Sequence, residues 1–196
     1  MVVEREMTGL KGGLVLAALL MLPPPGGALA QEMIDRGKTA PAIVSSPIAC
    51  PTTPAALPGE LSGWNQRAPL AAAHDAGSAA RLSPGTGVDG TLRPTPEVRY
   101  ALRPEKPGGS VSFGGIYAFT VSKAGRYRVA LGSAAWIDVI KASETAKGLT
   151  SIAHGHGPDC SGIRKMVDFA LEPGDYLLQI SANADAKLPL LVTRLP

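Results

Sequence analysis

Residues 153–160 are the part of the chain best suited to chemistry. They read Ala-His-Gly-His-Gly-Pro-Asp-Cys and hold two of the three histidines and one of the two cysteines. If the segment is extended, the imidazoles of His154 and His156 point to the same side and lie close enough to share a ligand. Two imidazoles and the Asp159 carboxylate are donors that suit Fe, Cu or Zn. A metal site is therefore one interpretation of the segment. The favoured interpretation is a polar, glycine-rich loop beside a disulfide, whose histidines face solvent or bond the backbone.

The third histidine, His74, lies in the proline-rich segment that precedes the predicted domain, and it joins such a site only if that segment folds back. The two cysteines, Cys50 and Cys160, predict a disulfide in an exported chain. In the chain-entropy model, closing a loop of about 110 residues stabilises a protein by at most roughly 4–5 kcal/mol. The alternative is a Cys160 thiolate that binds metal or acts as a nucleophile, and the two roles exclude each other.

The first thirty residues predict a signal peptide. Lys11 precedes an apolar run over residues 14–22, which is too short to cross a bilayer because a spanning helix takes about 20 residues. Ala28-Leu29-Ala30 is the small-x-small pattern of a signal-peptidase site, so the mature chain is expected to begin at Gln31. Acidic residues near the N-terminus favour Met7 as the true start. We expect a periplasmic or secreted protein with no transmembrane segment in the mature chain.

The charge of the chain is mild, with a formal net value of +3 and 5% aromatic residues. A nucleic-acid surface combines a denser basic stripe with a recognisable motif, so no nucleic-acid partner is predicted. Two residues are candidate ligand contacts. Arg103 lies in a charged segment beside a glycine-rich loop, and Trp136 lies on a predicted strand, where the alternative is that it covers the core.

The elements that position these residues are predicted to be strands. Residues 31–80 predict a proline-rich N-terminal arm, with Trp64 as its packing anchor. Residues 81–196 predict a β-sandwich domain because period-2 alternation recurs between turn signals. The predicted strands are residues 88–92, 98–102, 115–121, 127–131, 136–140, 150–154, 166–171, 176–181 and 188–195.

Two segments in this region resemble each other. Phe119–Leu131 and Phe169–Ile180 share an aromatic residue, a glycine turn and a tyrosine that begins the next alternating run. Each predicts a hairpin whose tyrosine packs against the preceding aromatic residue. Two such hairpins suit an all-β, antiparallel, jelly-roll-like sandwich. Over residues 111–195 this pattern resembles the small jelly-roll domains attached to secreted bacterial proteases and carbohydrate-active enzymes, and the resemblance implies the fold.

A second resemblance concerns the histidines. Gly148, followed after five residues by His154-x-His156, resembles the opening of the first cupin motif, and the chain also resembles short exported proteins that are labelled homogentisate 1,2-dioxygenase. In the cupin motif a glutamate follows the second histidine by four or five residues, where this chain has Cys160 and Ser161. The resemblance implies non-haem iron held by the two histidines, with Asp159 as the acid.

These observations favour an exported, non-catalytic β-sandwich module that binds a small molecule, a glycan or an envelope protein, or that has a structural role in the envelope. The alternative is a metal-dependent enzyme, a cupin-like iron dioxygenase that uses His154 and His156. The chain has no Gly-x-Ser-x-Gly elbow, so serine-nucleophile catalysis is not predicted.

Overall fold

The structure is a computed structural model that describes residue 50, residues 56–144 and residues 147–196. The predicted signal peptide, its cleavage site and residues 31–49 lie outside the described residues. Within the described ranges, no helix has the length and apolar character needed to span a membrane.

The described residues form eleven strands and three short 3-10 helices. The strands are β1 Arg67–Ala71, β2 Ala80–Leu82, β3 Gly87–Thr91, β4 Arg93–Pro94, β5 Phe113–Val121, β6 Gly125–Leu131, β7 Trp136–Lys141, β8 Ala153–Gly155, β9 Lys165–Leu171, β10 Gly174–Asn183 and β11 Lys187–Arg194. The 3-10 helices are Gly59–Asn65, Ala76–Ser78 and Thr95–Glu97.

These strands make two mixed sheets, which confirms the all-β prediction. The first sheet has the order β1-β3-β11-β6-β9-β8, and the second has the order β2-β5-β10-β7, with β4 paired to β5. The predicted antiparallel pairing holds for the other strand pairs, whereas β1 pairs with β3 and β2 pairs with β5 in parallel. Both parallel pairs lie at sheet edges. Strand β1 lies within the predicted N-terminal arm, and β2 spans the predicted boundary at residue 80.

The core lies between the two sheets. Alternate residues of the central strands point into it, as period 2 requires. Full burial of a large apolar side chain such as Leu, Ile or Phe stabilises a fold by about 1.5–3 kcal/mol. The largest fully buried side chains of this layer are Tyr117, Phe119, Leu131, Leu178, Ile180, Leu188 and Leu190.

The two similar segments are not hairpins. In each, the strand before the turn lies in one sheet and the strand after it lies in the other, so the chain forms an arch. The pairing runs between the segments, because β5 pairs with β10 and β6 pairs with β9. Tyr176 therefore lies opposite Phe119, with ring centroids 5.5 Å apart, and Tyr127 lies opposite Phe169.

Each tyrosine also fixes the turn of its own arch. Tyr127 donates to the carbonyl of Lys123 at 3.0 Å, and Tyr176 donates to the carbonyl of Glu172 at 2.8 Å. The glycine of each turn has a φ of 154° or 152°, a conformation that only glycine adopts without strain. The turn can therefore pass between the sheets instead of folding back within one.

The N-terminal part is fastened to the outer face of the first sheet. A disulfide joins Cys50 and Cys160, with their Cα atoms 5.4 Å apart, which confirms the predicted pairing and excludes a Cys160 thiolate. Trp64 is 2% exposed, and its indole nitrogen donates to the carbonyl of Ser161 at 2.9 Å. The prediction that Trp64 anchors this segment is confirmed.

Residues 98–102, which were predicted to be a strand, form none. They pack Val98, Tyr100 and Leu102 against the outer face of the second sheet. Gln179, fully buried on that face, accepts from the Leu102 amide at 3.2 Å and donates to the Leu102 carbonyl at 2.7 Å. Because the Gln179 side chain forms the hydrogen bonds of the Leu102 backbone, the segment can lie on the sheet without pairing with a strand.

We expect Tyr117→Phe to leave the free energy of unfolding unchanged or to raise it by about 1 kcal/mol, because the variant removes a desolvated, unpaired hydroxyl. Tyr117 is 0% exposed, and its hydroxyl has no hydrogen-bond partner within the described residues. The matched variant Tyr176→Phe loses two hydrogen bonds, one donated to the Glu172 carbonyl and one accepted from the Glu172 amide, and should cost at least about 1 kcal/mol. Chemical denaturation checks both, and equal losses would contradict the prediction.

Candidate functional site

A cleft opens along one edge of the sandwich, where β7 of the second sheet faces β8 and β9 of the first. Its volume is about 610 Å³, within the range of small-molecule sites. Gly148, Leu149 and Ser151, which follow β7, form one side of it. The Leu149 amide donates to the Val139 carbonyl at 2.8 Å and holds these residues against the strand. The lining residues are Glu105, Ala134, Trp136, Ile137, Asp138, Gly148, Leu149, Ser151, His154, Gly155, His156, Arg164, Lys165, Val167 and Phe169.

Strand periodicity explains why charged side chains reach this cleft. In β9, Lys165 shares a face with Val167 and Phe169, which point into the core. Lys165 is the first residue of that strand, so its ammonium group emerges at the end of the core instead of inside it. In the edge strand β7, Ile137 points into the core, and Trp136 and Asp138 point to the opposite face of the strand.

The Asp138 carboxylate is held in a fixed orientation. The Trp136 indole nitrogen donates to one oxygen at 3.0 Å, and the Gln179 amide donates to the other at 3.1 Å. Burial raises the pKa of the Asp138 carboxyl above its ordinary value, and the nearby Glu105 carboxylate adds to the rise. The hydrogen bonds from Trp136 and Gln179 act against that rise because they stabilise the ionised form.

Two ammonium groups lie beside the ring of Trp136, one from the lining residue Lys165 and one from Lys106 next to the cleft. Lys165 and Lys106 place their nitrogens 5.5 Å and 5.3 Å from the centroid of the Trp136 ring, within the range of cation–π attraction. Lys165 donates to the Ala135 carbonyl at 2.8 Å. Burial lowers the pKa of Lys165, the charge of Lys106 lowers it further, and Asp138 opposes both. Ser181 positions Lys106 by donating to its carbonyl at 2.9 Å.

The two histidines of the sequence motif both line this cleft. His154 lies in β8, and His156 follows the strand directly; both are exposed. The Nδ1 atom of His156 lies 2.8 Å from the Arg164 carbonyl. Because a carbonyl only accepts, Nδ1 is the donor and Nε2 of the neutral ring is left as an acceptor.

The other predicted metal and contact residues lie elsewhere. Asp159 and Arg103 are exposed and do not line the cleft. His74 lies 3.1 Å from both Asp75 and Arg99, with which it forms a separate cluster. Of the predicted contact pair, the structure brings only Trp136 to the cleft.

The residues at these positions do not match the ligands of a cupin-type iron site. Such a site takes three histidines and an acid, but no histidine follows residue 156. In the described part of the chain, no three His, Cys, Asp or Glu side chains are grouped so as to hold a metal ion. The donor set does not fit the group, and no chemical step is derived through iron.

Comparisons with known proteins give little further information. No family model and no curated protein matches the chain. Among solved structures, it is similar to the pre-peptidase C-terminal domain of a collagenase from Bacillus anthracis, at 19% sequence identity and a TM-score of 0.37, over 59% of this chain and 94% of that one. A TM-score this low establishes no shared fold, so the sandwich rests on the strands themselves. Nothing in these comparisons supports the cupin or dioxygenase resemblance.

Sequence reasoning missed three charged residues that line the cleft, Asp138, Arg164 and Lys165. The available signal was alternation: extending the pattern Val167-x-Phe169 by two residues towards the N-terminus places Lys165 on the inward face. Asp138 likewise interrupts the apolar run from Ile137 to Ile140. A charge in an apolar strand is costly unless it is paired or open to a cleft.

Proposed function

We propose that this chain is an exported β-sandwich module that binds a ligand in the cleft along β7. The single observation that carries the proposal is a cleft of about 610 Å³ whose polar groups are already oriented by the protein. Asp138 accepts two hydrogen bonds and Lys165 donates one, so neither has to be ordered when a ligand arrives. Such preorganisation reduces the entropic cost of binding.

Export is supported by two independent features. The disulfide between Cys50 and Cys160 is of a kind that persists in oxidising compartments and is rare in the cytosol. The apolar run over residues 14–22, with Ala28-Leu29-Ala30 after it, fits a cleaved signal peptide. A periplasmic or secreted location follows as part of the proposal.

The test uses a variant that reports on the cleft. The chain has two tryptophans, and Trp64→Phe leaves Trp136 as the sole indole fluorophore. Trp64 lies in a separate cluster on the outer face of the first sheet, so Phe should fill most of its space. A panel of neutral sugars, acidic sugars, amino acids and short peptides is then titrated. We expect at least one member to change the Trp136 emission and to raise the melting temperature.

A cleft-blocking variant supplies the control. Ala134 is exposed and lines the cleft, so Ala134→Phe should obstruct it without disturbing the core. Ala124 is equally exposed in the turn between β5 and β6 and does not line the cleft, so Ala124→Phe is the matched control. We expect Ala134→Phe to weaken binding at least tenfold and Ala124→Phe to leave it unchanged. The proposal fails if no panel member binds, or if the ligands bind Ala134→Phe as well as the wild type.

A further inference from the structure

Two ammonium groups meet beside one aromatic ring at the cleft. Lys165 and Arg164 line the cleft together with the carboxylates of Asp138 and Glu105, and Lys106, which is not a lining residue, lies beside the Trp136 ring. None of the three cations forms an ion pair within the described residues, although seven other ion pairs are present there. Lys165 and Lys106 therefore lie close to the same ring without a salt bridge from the described protein.

Of these cations, the ammonium group of Lys165 would gain the most from an anionic partner. It is half-buried, and one of its three ammonium protons is used by the Ala135 carbonyl. Lys106 approaches the same Trp136 ring, so two like charges share one site. Asp138 relieves this only in part, because it forms no ion pair with either ammonium group within the described residues. An anionic group from a ligand would pair with the remaining ammonium protons.

The rest of the cleft suits a ligand with hydroxyl groups. Nε2 of His156 is left as an acceptor because Nδ1 donates to the Arg164 carbonyl. His154 and Ser151 add exposed groups that can donate or accept. The apolar part of the wall includes Ile137 and Leu149, against which the C–H face of a sugar ring can pack.

We propose that the ligand of this cleft is an acidic sugar, a hydroxylated ring whose carboxylate pairs with Lys165 and Lys106 beside Trp136. This inference rests on the proposed function and names the ligand class of the same site. The carboxylate supplies an ion-pair partner for the two ammonium groups, and the ring hydroxyls bond to the histidine side of the cleft.

The experiment titrates glucuronate and galacturonate, glucose and galactose, and acetate into the Trp64→Phe variant and follows the Trp136 emission. We expect the two uronates to bind at least tenfold more tightly than the neutral sugars, because only they carry the charge. Acetate, which has the charge without the ring, should bind at least tenfold more weakly than the uronates. Raising the salt concentration from 50 to 500 mM should weaken uronate binding, since exposed ammonium groups such as that of Lys106 are screened.

Charge-removing variants locate the carboxylate. Lys165→Met keeps the aliphatic stem and should reduce uronate affinity at least tenfold. Lys106→Met is a second variant whose folding is secure, because Lys106 is exposed on the surface, and it should reduce affinity severalfold. Lys123→Met, at an exposed turn away from the cleft, is the matched control and should have no effect.

The outcomes separate this inference from the proposed function. If neutral sugars or cationic ligands bind in the cleft as tightly as the uronates, the acidic-sugar inference is overturned and the binding module stands. Equal binding of acetate and glucuronate would overturn the sugar part, and unchanged uronate affinity in both lysine variants would overturn the assigned charge pair. If no ligand responds to Ala134→Phe, both proposals fail.

Discussion

Asp168→Asn is expected to lower the free energy of unfolding by about 3 kcal/mol, at the lower end of what breaking a buried ion pair costs. Asp168 is 1% exposed on the outer face of the first sheet. Arg128 donates to its two oxygens at 2.7 and 2.9 Å, and Arg126 adds a bond of 3.0 Å. The variant leaves the Arg128 guanidinium, whose side chain is only 18% exposed, without an anion. Denaturant unfolding at neutral pH measures the loss.

Asp89→Asn is the matched control for this prediction. Its carboxylate is 53% exposed and pairs with Arg67 at 2.7 Å. An exposed pair of this kind contributes at most about 1 kcal/mol, so the control should lose much less stability than Asp168→Asn. Equal losses in the two variants would show that the burial of Asp168 adds nothing, which would contradict the prediction.

The same ion pair predicts a pH dependence. Burial acts to raise the pKa of the Asp168 carboxyl, but the hydrogen bonds from Arg128 and Arg126 outweigh it and hold the pKa below its ordinary value. A group whose pKa is lowered by folding stabilises the protein above its unfolded-state pKa of about 3.9, and this stabilisation is lost as the pH falls through the folded-state value. The difference between wild type and Asp168→Asn should therefore be largest near neutral pH and shrink below about pH 4. A difference that grows on acidification would contradict this sign.

Alternation in the sequence predicted strands more reliably than it predicted their partners. Phe119-x-Val121 and Tyr127-x-Val129 are strands as predicted, because apolar side chains at every second position must face a core. The same pattern is satisfied whether the next strand lies in the same sheet or in the facing one. The choice of an arch depends on the Tyr127 bond to the Lys123 carbonyl and on the pairing of β6 with β9, whose partner residues are about 40 positions apart in the chain, which local reasoning does not reach.

Prolines misled the reading of the N-terminal part. Pro69 argued against a strand, yet it lies in β1, which is an edge strand where a missing amide hydrogen is tolerated. The segment over residues 98–102 failed in the opposite direction. Its apolar residues suggested a strand, but a buried Gln179 takes the backbone bonds that a neighbouring strand would have made.

Only part of the candidate site could be predicted from the sequence. His154 and His156 drew attention as chemically versatile residues, and both do line the cleft. Their partners were hidden because Lys165 and Asp138 are ordinary charged residues in sequence. Only the meeting of β7 with β9 at an open edge brings them together, and that meeting is set by sheet order. The metal interpretation also needed Asp159, which is exposed and does not line the cleft.

Reduction of the Cys50–Cys160 disulfide is expected to lower the free energy of unfolding by up to about 4–5 kcal/mol, because the bond closes a very long loop in the unfolded chain. The sequence separation is 110 residues. The measurement compares denaturant unfolding with and without a thiol reductant. Cys50→Ser with Cys160→Ser should match the reduced wild type and should not respond to reductant. An unchanged unfolding midpoint after complete reduction would contradict the prediction.

A second pair of variants separates the cross-link from the backbone at Cys160. This residue has a φ of 59°, a left-handed conformation that costs a non-glycine residue about 1 kcal/mol. Cys50→Ser with Cys160→Gly should therefore be more stable than the double serine variant by about that amount. The wall of the cleft has its own bonds, from His156 to the Arg164 carbonyl and from the Gly157 amide to the Ile163 carbonyl. Loss of the disulfide should thus lower stability while leaving ligand affinity in the folded protein largely intact.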